Sequence, residues 1–371
     1  MYIDNVYIQY KLLINEVDTM TLDDLRTLTP VEIDYIIDNI YKLLKEKVND
    51  KTKNDENFNK RPYCCPHCKS ILFIKYGFNK GKQKYYCKDC KKIFSSTTDT
   101  PYNHSFCNYL IWKKFIHCEI LGLSLNEEKL EIRKSKTTCF NMRHKLYKAI
   151  EDITINIKLQ GRIEVDSTYE SINMKGTKPQ NMPRLSKKRG YTSAYSGISH
   201  HKVCIVTAID EKDNMLFRIS GLGEESIDKY LLYRNFFIEG STIISDSKSA
   251  IKNFAEAITC KSEQIPSIAN KKRYATDNGN TISNVNELHT ELSNLITRKH
   301  GVSIRHLQSY LNWIVFVKKL KYTIKQESMD TYTYMNTMKQ TKTLTKREIC
   351  KLPIPIDLYE AYGEYRYGIF A

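Results

Sequence analysis

No run of eighteen apolar residues occurs anywhere in this chain, which excludes a membrane-spanning helix. The start, Met1-Tyr2-Ile3-Asp4, lacks the basic region and apolar stretch of a secretory leader, so the expectation is a cytoplasmic protein with no membrane partner. No internal repeat is visible, which removes repeat architectures. Acids are scarce where bases cluster: residues 171–209 hold seven Lys/Arg and no Asp or Glu, and residues 61–100 hold nine Lys/Arg against two acids. The whole chain carries 58 Lys/Arg against 42 Asp/Glu, a net charge of +16. A charge run is ordinarily a solvated face, but two such stretches interleaved with aromatics favour a polyanion, nucleic acid foremost. At 371 residues the chain exceeds a single core and should form two or three domains.

Eleven cysteines do not make a disulfide scaffold here, because Cys107, Cys118, Cys139, Cys204, Cys260 and Cys350 are scattered singly, as in a reducing compartment. Four others form two tight pairs, Cys65-Pro66-His67-Cys68 and Cys87-Lys88-Asp89-Cys90, separated by eighteen residues. Two such knuckles supply the four thiolates of a tetrahedral structural Zn²⁺ site, with room between them for a β-hairpin. Cys64 directly precedes the first pair and competes for the role of ligand; Cys65 keeps the spacing. His67 reads as a loop residue.

Periodicity places helices over residues 21–47, followed by a linker of almost no apolar residues from Asn49 to Lys60. Residues 105–150 read as three helices: the first runs from Phe106 to Leu121 and ends at Gly122, Ser124-Leu125-Asn126-Glu127 is a capping box opening the second, and Ser135 caps the third. That third helix carries Arg143, His144, Lys145 and Lys148, so the unit matches a helix-turn-helix in outline, with a plain three-helix packing unit as the alternative. From residue 160 the period changes. Strands are predicted over Arg162–Asp166, His201–Asp210 and Met215–Ser220, then a helix over Glu224–Phe237 and a buried strand over Ser241–Asp246. Ser247, Ser283 and Ser303 are candidate caps of three further helices.

A meander followed by a right-handed crossover brings the fourth strand beside the first, setting Asp166 and Asp246 at the same end of neighbouring strands. Two carboxylates forced together call for a cation, and Mg²⁺ takes one or two carboxylates. An Asp ending a strand is otherwise a turn or cap residue.

The chain resembles bacterial insertion-sequence transposases of the ISXO-like zinc-ribbon type over roughly residues 60–325. The resemblance rests on the four ribbon cysteines, Val165-Asp166-Ser167-Thr168-Tyr169, Lys188-Arg189-Gly190, the run Val203–Asp210, Gly221-Leu222-Gly223, Ile244-Ser245-Asp246-Ser247, Ser283–His289, Gly301-Val302-Ser303 and Leu307–Trp313. It implies an α+β multidomain protein: an N-terminal helical segment and linker (1–60), a zinc ribbon (61–100), a helix-turn-helix-like helical unit (101–155), an RNase H-like mixed β-sheet catalytic domain with flanking helices (156–325) and a C-terminal tail (326–371). It further implies a catalytic triad whose roles fall on Asp166, Asp246 and Asn286, with Glu287 adjacent but about 100° away around the helix. Two positions depart from the family pattern. Ser167 replaces a Glu after the first Asp, and Ser293 replaces a Lys that would hold DNA phosphate; Arg298 and Lys299 are bases on other faces of that helix.

Such a protein would bind double-stranded DNA, both transposon ends and target, as a homo-oligomer in the complex. Mg²⁺ or Mn²⁺ held by Asp166, Asp246 and Asn286 would support strand cleavage and then attack of the freed 3′-OH on target DNA. Lys84, Arg143, Lys145, Lys187, Lys188 and Arg189 are the expected DNA contacts. The alternatives are a DNA-binding regulator that lost its chemistry, for which Ser167 and Ser293 speak, an RNase H-like nuclease without strand transfer, and a zinc-ribbon interaction protein.

Overall fold

The computed structural model describes residues 62–79, 82–177, 197–266, 275–325, 328–338, 344–359 and 361–362. The helices and linker predicted within 1–60 lie outside the described residues. The chain divides into two compact units, Met1–Ser96 and Thr97–Ala371.

In the first unit, strands β1 (Phe73–Asn79), β2 (Lys82–Cys87) and β3 (Ile93–Ser95) form an antiparallel sheet in sequence order. Phe73, Tyr85 and Phe94 point to one side and pack edge-on or stacked, with ring centroids 5.2–5.7 Å apart. This small aromatic core closes over buried Cys65 and Cys87.

The second unit begins with α1 (Tyr109–Ile120), α2 (Leu125–Ile132) and α3 (Lys136–Ile155). The predicted signals form as read: Ser124 and Glu127 make a reciprocal capping box, Ser135 accepts from the Thr138 N–H, and Gly122 takes φ 75° just past α1. The start of α1 is Asn108-capped rather than at Phe106, because the Asn108 side chain satisfies the Ile111 N–H.

Then come β4 (Arg162–Ser171), β5 (Lys202–Asp210), β6 (Met215–Leu222), α4 (Ile227–Leu231), β7 (Thr242–Ser245), α5 (Ser249–Ala257), β8 (Lys261–Gln264), α6 (Ser283–Arg298) and α7 (Ile304–Thr323). The sheet order is β6-β5-β4-β7-β8; the first three strands are antiparallel neighbours, while β7 runs parallel to β4 and β8 parallel to β7. The crossover thus returns the fourth strand beside the first, as expected. One face buries Ile163, Val165, Val206, Ala208 and Ile243 against Tyr230, Ile251 and Phe254 from α4 and α5. Each such side chain contributes about 1.5–3 kcal/mol by leaving water. Val285, Leu288 and Leu292 are the buried residues of α6, and Leu295 further along is half-buried.

Three expectations change. The helix over Glu224–Phe237 is confined to Ile227–Leu231 plus a 3₁₀ turn at Arg234–Phe236, because the chain must come back to pair Leu159 with Phe237 before β7. Ser247 does not cap α5: its hydroxyl donates to the Ile265 carbonyl. Ser283 does not cap α6 either, since Glu164 of β4 takes that role. The tail forms α8 (Met329–Met338), packed on α1 and α3, and α9 (Lys346–Lys351), packed on α3. The Tyr334 and Tyr102 rings pack tilted against each other here, with centroids 4.4 Å apart. Among the described residues no helix is long and apolar enough to cross a membrane.

Candidate functional site

The ribbon thiols converge. The sulfurs of Cys65, Cys68, Cys87 and Cys90 all lie within 4.8 Å of one another, with Cys65 to Cys90 at 3.6 Å and Cys68 to Cys87 at 3.5 Å. The two knuckles share one backbone design. Lys69 and Lys91 both adopt positive φ, 63° and 60°, and return their N–H groups to the carbonyls of Cys65 and Cys87 at 2.9 and 3.1 Å. Cys65, not Cys64, is the first member of the cluster. The backbone N–H of Cys90, with that of Asp89 against the cost of burial, draws Cys87 down to about 7. Cys68, despite the Ser70 N–H, is pushed up to about 12 by burial and the neighbouring thiols. Four thiols this close cannot all ionise without a cation between them, which fits a tetrahedral structural zinc.

The second cluster lies midway along β4, beside the end of β7. Their parallel register pairs Glu164 with Ile244, so two residues further on Asp166 is level with Asp246. The Lys248 ammonium joins them, 3.0 Å from Asp166 Oδ1 and 3.4 Å from Asp246 Oδ2, and lies 2.7 Å from Oε1 of Glu225. Glu225 arrives from the loop after β6; its other oxygen accepts the Tyr230 hydroxyl, which also meets Ser167 Oγ at 2.8 Å. Burial raises Asp246 above the ordinary aspartate range, Asp166 and Glu225 raise it further, and Lys248 opposes. Burial disfavours the Lys248 ammonium, but Asp166, Glu225 and Asp246 together hold its pKa well above the usual lysine value. Asp246 Oδ1 is buried and, among the described residues, has no hydrogen-bond partner.

Helix α6 lies across this face because Glu164, two residues before Asp166 on the same side of β4, receives its N-terminus. Glu164 accepts from the Asn284 N–H at 2.9 Å, the Val285 N–H at 3.1 Å and the Asn284 carboxamide at 2.8 Å. One turn on, His289 Nε2 sits 3.0 Å from Oγ1 of Thr207, the β5 residue paired with Asp166. Burial lowers the His289 pKa, with Asp166 opposing. Asn286 shares the His289 side of α6 and is exposed; among the described residues its carboxamide bonds neither aspartate. Glu287 turns away, with Oε2 2.6 Å from buried Lys318 of α7. The two residues are adjacent in sequence, and the helix separates their surroundings.

The structure thus brings Asp166 and Asp246 to one ammonium and sets Asn286 on the helix crossing beside them. Glu225, Lys248 and Glu164 were not read as site residues. Glu164 was legible by strand alternation from Asp166 and Lys248 by its nearness to Asp246; nothing in the sequence marks Glu225.

Arg143 is corrected. It is 2% exposed, its guanidinium clasped by Glu119 and Glu128 and 3.3 Å from the Tyr310 hydroxyl, so it is a core ion pair and offers no surface to DNA. Lys299 joins the same network, 3.0 Å from Glu119 and 3.3 Å from Glu128, and Arg298 donates to the Leu121 carbonyl; neither stands in for a base at Ser293. Lys145 is half-buried, with Nζ 2.8 Å from the Asn103 carbonyl, and Lys84 is half-buried on β2. Lys187, Lys188 and Arg189 lie outside the described residues.

The second unit is therefore a mixed α+β domain that carries an acidic, lysine-bridged cluster on its central strands. Residues 158–318, which contain that cluster, match the ISXO2-like transposase domain model of the insertion-sequence transposases. Over 134 residues it is 28% identical to an uncharacterized protein in transposable element ISH50 of Halobacterium salinarum, a match covering 36% of this chain and 44% of that relative. The pre-cleavage Mos1 transpososome shares 9% identity at a TM-score of 0.24, over 62% of this chain and 80% of that chain, a likeness too loose to carry an argument.

Proposed function

We propose that this chain acts as an insertion-sequence transposase, binding transposon-end DNA and catalysing metal-dependent strand cleavage and 3′-OH strand transfer. The observation that carries the reading is the β4/β7 register, which sets Asp166 level with Asp246 inside the stretch matching the transposase domain. The strand order, with three antiparallel strands followed by two parallel ones, is consistent with an RNase H-like core spanning 156–325. The donor set fits a hard divalent cation: carboxylate oxygens, one of them buried and unpartnered at Asp246 Oδ1, with an exposed amide oxygen available from Asn286. The Lys248 ammonium stands between the two aspartates, 3.0 Å from Asp166 Oδ1 and 3.4 Å from Asp246 Oδ2.

In this reading Asp166 and Asp246 hold Mg²⁺ or Mn²⁺ and Asn286 completes the shell as a neutral ligand. When bound, the ions supply activation of the attacking oxygen and stabilisation of the leaving one. Glu164 orients the helix bearing Asn286, and the Thr207–His289 contact holds its second turn. The ribbon, with structural zinc and Lys84, the helical unit 101–155, and the basic segment around Lys187, Lys188 and Arg189 each supply DNA contacts, so affinity falls steeply with salt. A homo-oligomer on DNA and a cytoplasmic location complete the proposal.

The test is cleavage and joining of the element's own end DNA with Mg²⁺, comparing the native chain with Asp166→Ala. Cleavage that survives the substitution removes the assignment. Cleavage without joining of a pre-cut 3′-OH end identifies a nuclease. A second reading, a DNA-binding regulator without chemistry, is favoured by the Lys248 ammonium already neutralising the aspartates and by exposed Ser293, and it predicts specific binding with no nicking at any metal concentration.

A further inference from the structure

Lys248 is fixed at its backbone, while its side chain reaches into the acidic cluster. Its N–H donates to the Asp246 carbonyl at 2.8 Å, and its own carbonyl accepts from Gln264 Nε2 of β8 at 3.0 Å. Its side chain, 35% exposed, makes no capping bond to α5 and ends among three carboxylates. The closest of these is the one built to stay. Glu225 is 6% exposed, its second oxygen held by Tyr230, and its N–H donates to the Tyr169 hydroxyl at 3.3 Å. Among the described residues, Lys248 is the cation within ion-pair distance of Glu225.

The charge count follows. Three carboxylates against one ammonium leave two negative charges. If the ammonium rests on Glu225 alone, those two charges belong to Asp166 and Asp246 and match one divalent ion. If it stays between the aspartates, like-charge repulsion with that ion opposes binding.

We propose that Lys248 is a built-in placeholder cation: it neutralises the Asp166–Asp246 pair in the metal-free chain and is displaced onto Glu225, its preset dock, when a divalent ion binds. This rests on the reading of Asp166 and Asp246 as metal ligands. Both Lys248 and Glu225 are then positioning residues, which set how readily the site loads.

The experiment measures Mn²⁺ affinity by titration calorimetry and electron paramagnetic resonance on the full, zinc-loaded chain at fixed ionic strength. Lys248→Met is expected to bind Mn²⁺ about tenfold tighter than the native chain, and Glu225→Gln several-fold weaker because the ammonium loses its dock. Lys252→Met, the same charge change on the exposed side of α5, should alter affinity by less than about twofold. Equal or weaker binding by Lys248→Met, or equal tightening by Lys252→Met, overturns the placeholder. If Lys248→Met fails to fold because Glu225 is left buried and unpaired, the Lys248→Met/Glu225→Gln double variant must show the same tightening, and its absence is equally fatal. Asp166→Ala separates the two levels. If it binds Mn²⁺ as the native chain does, the metal reading itself fails; if it loses Mn²⁺ while Lys248→Met shows no gain, only the placeholder fails.

Discussion

Replacing Glu164 should loosen the start of α6 and with it the placement of Asn286. The carboxylate receives two backbone N–H groups and one carboxamide, at 2.8–3.1 Å, from the first turn of the helix. Losing a side-chain cap costs about 1 kcal/mol, and losing a negative charge at a helix N-terminus a further 0.3–1 kcal/mol. Alanine also leaves two buried or half-buried N–H groups without an acceptor, at roughly 1 kcal/mol or more. Part of this is offset, because burial raises the Glu164 pKa above the usual carboxylate value, so the ionised side chain already bears a desolvation cost. The balance is about 2–3 kcal/mol for Glu164→Ala and about 1 kcal/mol for Glu164→Gln, which retains an oxygen acceptor. Native-state hydrogen exchange reads this locally, without requiring the two units to unfold together. Amides in a peptide covering residues 282–290 should lose about 30- to 150-fold protection in the alanine variant and about fivefold in the glutamine variant. Exchange within threefold of the native chain for both would refute Glu164 as the anchor of α6.

Arg143→Met should destabilise the second unit by about 3–5 kcal/mol, since it strands Glu119 and Glu128 beside Lys299 alone; a variant of normal denaturation midpoint that merely binds DNA less well would contradict its place in the core. The ribbon should hold one zinc per chain, released by a thiol-directed mercurial, with Cys64→Ser retaining the metal and Cys65→Ser losing it. The pH dependence should follow the buried histidines. His144 and His306 face each other at 4.0 Å, and burial, with His306 and Arg143 adding, sets His144 well below the ordinary value; burial and Arg305 bring His306 from 6.5 to about 4. With folded values below unfolded ones, the unfolded chain binds protons first. Their contribution is complete above pH 6.5 and is lost as pH falls toward 4, by about 3 kcal/mol for His306. Urea midpoints at pH 7 and pH 5 measure it, and His306→Leu should flatten the difference.

Much of this protein was legible in one dimension. The knuckle cysteines could be paired by spacing because metal ligation needs a fixed short loop, and the same backbone turn then recurs at Lys69 and Lys91. The Ser124–Glu127 box and the Ser135 cap formed as read because a cap is satisfied within four residues. Strands β4 to β7 were visible in the change of period, in short apolar runs and in their turns, and their order followed from the handedness of the crossover. What a residue meets across the sheet was not. Arg143 reads as a basic helix residue, yet Glu119 and Glu128 enclose it; Ser283 reads as a cap, yet Glu164 reaches over from another strand. Glu225 carries no local mark at all and gains its place only because Tyr230 and Lys248 come to it. Local hydrogen bonds and periodicity are written in neighbouring residues, whereas the pairing of buried charges depends on which distant segments share one desolvated space, and only the folded chain decides that.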